Sequence, residues 1–167
     1  VKGDDVEVLG WDKEAQDGSF TGDFEDENKG KQLTQNFIQQ GADIILPVAG
    51  PVGRGTAAAA QESDGVSVIW VDADGFLVVP EFGELMLTSV LKQIQGATFE
   101  VTQDSVNDEF DGSQYIGTLE NDGVGIAPFH DFSDAVDDEL EAEIDELRQQ
   151  IIDGSLVVES PSSPTPA

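Results

Sequence analysis

The stretch Asp43-Ile-Ile-Leu-Pro-Val-Ala49, closed by Gly50, decides the architecture. A run this short and this apolar suits a strand covered on both faces, which is the situation of strands in a parallel sheet. Pro47 weakens that reading slightly, because it cannot donate to a hydrogen-bond ladder. Upstream, Leu33, Phe37 and Ile38 recur at helical spacing from about Asn28, and Gly41 stands where a helix usually ends in a left-handed residue. Before that helix, Val6–Leu9 reads as a strand, followed by a Gly-, Asp- and Ser-rich loop to about Glu27. Downstream, Gly50, Gly53 and Gly55 lead into the Ala-rich stretch Thr56–Gln61, a good helix former, and Val66–Val71 is a second apolar run. Strand, helix, strand, helix and strand joined by short connections predict right-handed crossovers and a parallel sheet.

Further along, the pattern predicts a strand at Leu85–Leu91, a helix from Gln93 to about Asp108 and a strand at Gln114–Leu119. The final helix has the clearest signature. Leu140, Ile144, Leu147 and Ile151 form one apolar stripe on an otherwise carboxylate-rich surface, acids crowd the first turn, Arg148 lies near the last, and Gly154 ends the segment. From Ser160 the chain is Pro/Ser-rich and is expected to be extended or mobile. The organisation read from this is one body over residues 1–158 and a tail over 159–167, with no internal repeat.

Composition removes whole classes of function. The 167 residues carry 35 Asp+Glu against 7 Lys+Arg, for a formal net charge of −28. The seven cations are scattered, so a nucleic-acid backbone would be repelled rather than bound through counter-ion release. There is no Cys and a single His, which excludes zinc fingers, Cys nucleophiles and His-rich metal centres. A hydrophobic fraction of 38% with nine Phe and two Trp is too apolar for a disordered acidic tail, so the chain is expected to fold. No apolar run approaches ~18 residues, and the first residues have neither the basic nor the apolar region of a signal peptide. The chain opens just ahead of an expected strand, which leaves room for a leader or an earlier domain that has been removed.

Acid pairs are too numerous for any one to indicate acid/base catalysis, and most are read as solvated surface. No GxSxG elbow accompanies His130, which reads as a surface or capping residue after Pro128 and Phe129. Asp72-Ala-Asp74-Gly75 has its glycine too early for a calcium loop, and Gly50–Thr56 lacks the Gly-Lys-Ser/Thr ending of a phosphate loop. Both segments nevertheless follow the C-terminal ends of predicted parallel strands, the rim where open α/β sheets bind ligands. Asp72 at that rim reads either as a carboxylate accepting two hydrogen bonds from a vicinal diol or as a helix N-cap. Lys92 reads either as a ligand donor or as a structural partner of a carboxylate.

Taken together, FEDENKGK (24–31), QGADIILPVAG with GRG (40–55), VIWVDAD (68–74), LTSVLK (87–92) and GVGIAPF (123–129) resemble, in order and spacing, the basic membrane protein family. These are nucleoside-binding lipoproteins of bacterial ABC importers. The resemblance runs from about Val6 to Val158. It implies an α/β, parallel-sheet, three-layer lobe of a two-lobed type I periplasmic-binding fold, with the first lobe preceding Val1 and this chain forming the second lobe plus the segments that cross back at the hinge.

By the same resemblance Phe24 stacks on the base, Gly50 and Gly53 pass close to the ligand, Asp72 binds ribose hydroxyls and Lys92 is a ligand contact. Phe24 also reads as a loop staple. Pro51, Val52, Arg54 and Trp70 depart from the family pattern. The implied activity is solute capture and delivery to a membrane permease, without enzymatic chemistry, cofactor or metal, by an extracytoplasmic lipoprotein anchored through a segment upstream of this chain. The preferred solute is a nucleoside, a purine in particular. A sugar or other small solute, and an α/β enzyme acting on nucleosides, are the competing readings. Apolar surface left by an absent lobe would favour dimerisation. A lone second lobe is expected to bind nucleoside weakly.

Overall fold

The computed structural model describes residues 6–158 and Pro161. The chain divides into two compact units, one of residues 1–91 with 126–131, the other of residues 92–125 with 132–167. The tail read from Ser160 lies, apart from Pro161, outside the described residues.

The first unit opens with a small antiparallel hairpin, β1 (Trp11–Asp12) and β2 (Asp17–Gly18). The strand expected at Val6–Leu9 does not form. That segment has no ladder partner among the described residues, and Val6 and Val8 are largely exposed. An extended segment is not stable by itself, because its backbone groups and one of its faces stay unpaired. α1 (Glu27–Gln39) follows, capped by Asp26, whose carboxylate accepts from Asn28 N, and ended by Gly41 at φ +100°. β3 is only Ile44–Ile45. Pro47 supplies no ladder donor, and Ala49 N turns back onto Pro47 O at 3.0 Å, so the apolar run beyond Ile45 leaves the sheet.

α2 (Gly53–Gln61), β4 (Ser67–Asp72), α3 (Gly75–Val78), a 3₁₀ turn at Pro80–Leu85 and β5 (Met86–Lys92) complete the run. β3, β4 and β5 are parallel neighbours, as the alternation predicts, with one irregularity in the β4–β5 register between Val68 and Ile69. The sheet therefore belongs to the α/β class. The chain re-enters this unit at Ile126, the end of a short strand, where Ala127 N donates to Ser89 O and Thr88 Oγ1 donates to Ala127 O.

The core lies on one face of this sheet. Ile45, Val68 and Met86 point to it and join Ala57 and Ala60 of α2, with Phe37 and Ile38 of α1, Trp70 and Phe76 packed around them. α1 and α2 cross in close contact. A Cβ on Gly55 would stand 1.8 Å from Glu27 O, one on Gly30 would stand 2.2 Å from Val52 O, and the buried Thr34 hydroxyl donates to Thr56 Oγ1 at 2.9 Å. On the opposite face Ile44 and Val90 are each close to half exposed.

In the second unit, α4 (Ile94–Val106) matches the helix expected there. The strand expected at Gln114–Leu119 is absent. Asn121 instead accepts from Thr118 N and Gly123 N through Oδ1 and donates to Ile116 O, a side-chain-built turn that takes the backbone groups a strand would need. β6 (Val124–Ile126) falls in the following GVGIAPF segment, which the strand reading passed over. After a 3₁₀ turn at His130–Ala135, α5 (Asp138–Ile152) is capped by Asp137, whose carboxylate accepts from Leu140 N. Arg148 ties it to the Asn121 turn through Leu119 O and Asp122. The apolar stripe is where the sequence puts it, yet neither α4 nor α5 has a buried residue.

Candidate functional site

Four of the five residues singled out from sequence lie in the first unit, around the C-terminal ends of β3 and β4. Phe24 is largely exposed, on a shallow depression lined by Asp23, Phe24, Glu25 and Asp26. The turn that carries it is held by its neighbour. Asp23 accepts from Glu25 N and Asp26 N and pairs with Lys29. The Lys29 ammonium, aided by those two amides, holds the Asp23 carboxyl down at about 2. Phe24 O accepts from Val52 N at 2.8 Å, which fastens the same turn to the start of α2.

Gly50 lies beside this turn. A Cβ there would be 3.8 Å from Phe24 O and 3.9 Å from Phe24 Cβ, so the glycine leaves room without being forced by it. Gly53 is buried, and a Cβ there would stand 3.3 Å from the Trp70 ring and 3.6 Å from Pro47 Cβ. The Trp at a position that departs from the family pattern thus lies over the first turn of α2. Arg54, another departure, is directed into carboxylates, pairing with Glu81 and approaching Glu27 at 3.6 Å.

Asp72 is the last residue of β4, half-buried and in the left-handed region at φ +71°. Its register partner on β5 is Leu91. The helix that follows is capped by Asp74, whose Oδ1 accepts from Phe76 N at 3.1 Å, so the capping role of this DAD segment falls on Asp74. Lys92, the last residue of β5, is exposed and belongs to the second unit. The structure therefore brings Phe24 and Gly50 together and sets Gly53 against Trp70, two residues before Asp72 on the same strand.

Sequence reading passed over two parts of this region. One is the Asp23–Lys29 pair, signalled only by an acid and a base six residues apart. The other is His130, read as a surface or capping residue, whose Nε2 lies 2.8 Å from Asp74 Oδ2. Among the described residues no group of acids and His is arranged to hold a metal ion, and no helix is long and apolar enough to cross a membrane.

A carboxylate and a glycine turn thus stand at the C-terminal rim of a parallel α/β sheet, the place where open sheets of this class bind ligands. The chain belongs to the family of PnrA-like ABC transporter substrate-binding proteins, which matches residues 17–162. It is 29% identical over 155 residues to the CD4+ T-cell-stimulating antigen of Listeria innocua serovar 6a, covering 85% of this chain and 43% of that protein. Among solved structures it resembles an ABC transporter solute-binding protein of Aeropyrum pernix K1, with 21% identity, a TM-score of 0.74, and coverage of 87% of this chain and 48% of the other. A transcriptional activator of the comK gene from Bacillus halodurans gives 18% identity and a TM-score of 0.69, covering 84% of this chain and 46% of the other. An ABC transporter solute-binding protein of Conexibacter woesei gives 20% and 0.67, covering 85% and 45%. These structural likenesses show the fold. The chain spans less than half the length of the relatives it matches.

Proposed function

We propose that the first unit forms one wall of a solute site that recognises a nucleoside, preferentially a purine, for delivery to an ABC permease. The observation that carries the reading is Asp72. It is a half-buried carboxylate held at a left-handed backbone position on the C-terminal rim of a parallel strand, where α/β sheets bind ligands. Its two oxygens suit the two hydroxyls of a ribose, Phe24 offers an exposed ring to a base, and Gly50 lets the ligand approach the backbone. Lys92 is proposed as a further ligand contact. A net charge of −28 is compatible with a neutral nucleoside and disfavours a nucleotide.

Residues 1–158 are proposed as the second lobe with its hinge-crossing segments. The whole protein is proposed to act outside the cytoplasm as a lipid-anchored binding component, without turnover of its solute. Self-association through the half-exposed aliphatic sheet face is a further element of this reading, and light scattering tests it.

Affinity from this chain alone is expected to be low. A base stack contributes about 1–3 kcal/mol and a charge-assisted hydrogen bond about 1.5–3 kcal/mol, against about 8 for a micromolar complex. A nucleoside titration followed by amide chemical shifts tests the proposal, with millimolar binding expected and Asp72→Ala abolishing it. A free sugar, the second reading, would use Asp72 without Phe24. Ribose giving the same response as adenosine, with Phe24→Ala having no effect, would favour it.

A further inference from the structure

The one imidazole of the chain is built into the turn that follows Asp72. His130 lies on the segment 126–131 that returns to the first unit, at φ +44°, and its Nε2 is 2.8 Å from Asp74 Oδ2. The imidazole stacks on the Phe76 ring with centroids 4.1 Å apart and planes 9° from parallel. The His130 and Asp74 side chains are only 21% and 16% exposed. Asp74 serves two purposes at once, since its other oxygen caps α3 at Phe76 N. On the far side of the same turn, Gly75 N donates to the fully buried Ser89 Oγ at 2.9 Å, and a Cβ on Gly75 would stand 2.7 Å from that of Trp70. The turn 72–76 is thus held by β4 at its start, by Ser89 of β5 beneath and by His130 at its end.

We propose that His130 is a positioning residue, which with Asp74 and Phe76 clamps the returning segment 126–131 to the turn carrying Asp72. Asp tolerates the left-handed region that Asp72 occupies at φ +71°, and the clamp fixes the two residues that follow it in the turn. Asp74 is thereby committed to the protein, and movement of segment 126–131 is transmitted to the rim carboxylate. The consequence for ligand rests on the nucleoside reading above, whereas the clamp itself does not.

The test uses this chain with four variants that divide the contact. His130→Ala removes the hydrogen bond and the stack, His130→Gln keeps a donor for Asp74, His130→Phe keeps the stack, and Asp74→Asn keeps a cap while removing the charge. Hydrogen–deuterium exchange without nucleoside is expected to quicken about tenfold for His130→Ala in both 72–79 and 126–131, the equivalent of one charge-assisted hydrogen bond. Gln and Phe should each recover part of the protection, while circular dichroism stays unchanged. In the wild type, the single His gives one set of ring-proton signals, shifted by the Phe76 ring current and released by Phe76→Leu. Nucleoside affinity should fall several-fold in His130→Ala.

Unchanged exchange in 72–79 for a folded His130→Ala, or an unshifted imidazole, overturns the clamp. Exchange that quickens while affinity holds overturns its link to Asp72. If the wild type binds no nucleoside, the functional reading fails, and the exchange and ring-current results still decide the clamp. Should His130→Ala fail to fold, His130→Gln and Phe76→Leu carry the same comparisons.

Discussion

The two faces of the sheet share one set of strands and differ in what covers them. On one face Val68 and Met86 are buried under α2, with Ala57 and Ala60 against them, and the helix above is locked to α1 by glycines and a threonine pair. On the other, Ile44 and Val90 are aliphatic and close to half exposed. Strand propensity and parallel pairing do not require both faces to be covered, but the stability each residue confers follows the side it faces. Burial of a Val side chain contributes about 1.5–3 kcal/mol only if water is removed from it.

Glycine substitutions break this comparison most strongly. Gly55→Ala places a methyl into the Glu27 carbonyl beneath the α1–α2 crossing, where only backbone movement can relieve it. A loss of about 3 kcal/mol in urea unfolding, the upper end for overpacking, is expected. Gly96→Ala in α4 meets nothing within 4 Å and should instead gain up to about 1 kcal/mol from helix propensity. A matched pair on the strands comes next. Val68→Thr buries a hydroxyl among aliphatic neighbours and should cost about 1–3 kcal/mol, while Val90→Thr on the open face should stay within about 0.5 kcal/mol. Equal losses at the two positions would show that the open face is covered in solution. Thr56→Val removes one half of the buried Thr34–Thr56 bond and should cost about 1 kcal/mol.

The smallest effect is electrostatic, in the turn carrying Phe24. The Asp23 carboxyl lies near 2 in the folded chain against an ordinary 3.8, because Lys29 and two amides favour its ionised form. A depressed folded value means that its support for the turn is complete above the ordinary value and is lost as pH falls through about 2. The Glu25 and Asp26 amide shifts should therefore titrate with a midpoint near 2 in a folded chain, and Asp23→Asn should abolish the transition. Salt should weaken the Lys29 contribution, since both groups are substantially exposed.

What the sequence made legible was set by local chemistry. The apolar runs and glycine stops located β4, β5, α1 and α5 to within a few residues, because burial and helix termination act on neighbours in the chain. The segment Val6–Leu9 misled because alternation shows what a strand would look like and says nothing about whether a partner strand lies beside it. Gln114–Leu119 misled because one asparagine side chain collected the backbone groups the strand needed. At the strand rim, the positions of Asp72 and the Gly50 turn were legible from the apolar strands that precede them. The His130–Asp74–Phe76 contact was not, since it joins residues more than fifty positions apart by geometry alone. The proximity of Trp70 to Gly53, the residue that the resemblance places near the ligand, was likewise not legible, because it joins a strand to a helix start across the fold.

Amide shifts during a titration of this chain with adenosine report directly on whether Asp72 forms part of a solute-binding wall. Changes confined to Phe24, Gly50 and residues 71–74, saturating in the millimolar range and absent in Asp72→Ala, are the predicted result. Changes centred instead on the second unit, where Phe99, Gln103 and Tyr115 line a separate shallow groove, or an unaltered response in Asp72→Ala, would contradict it.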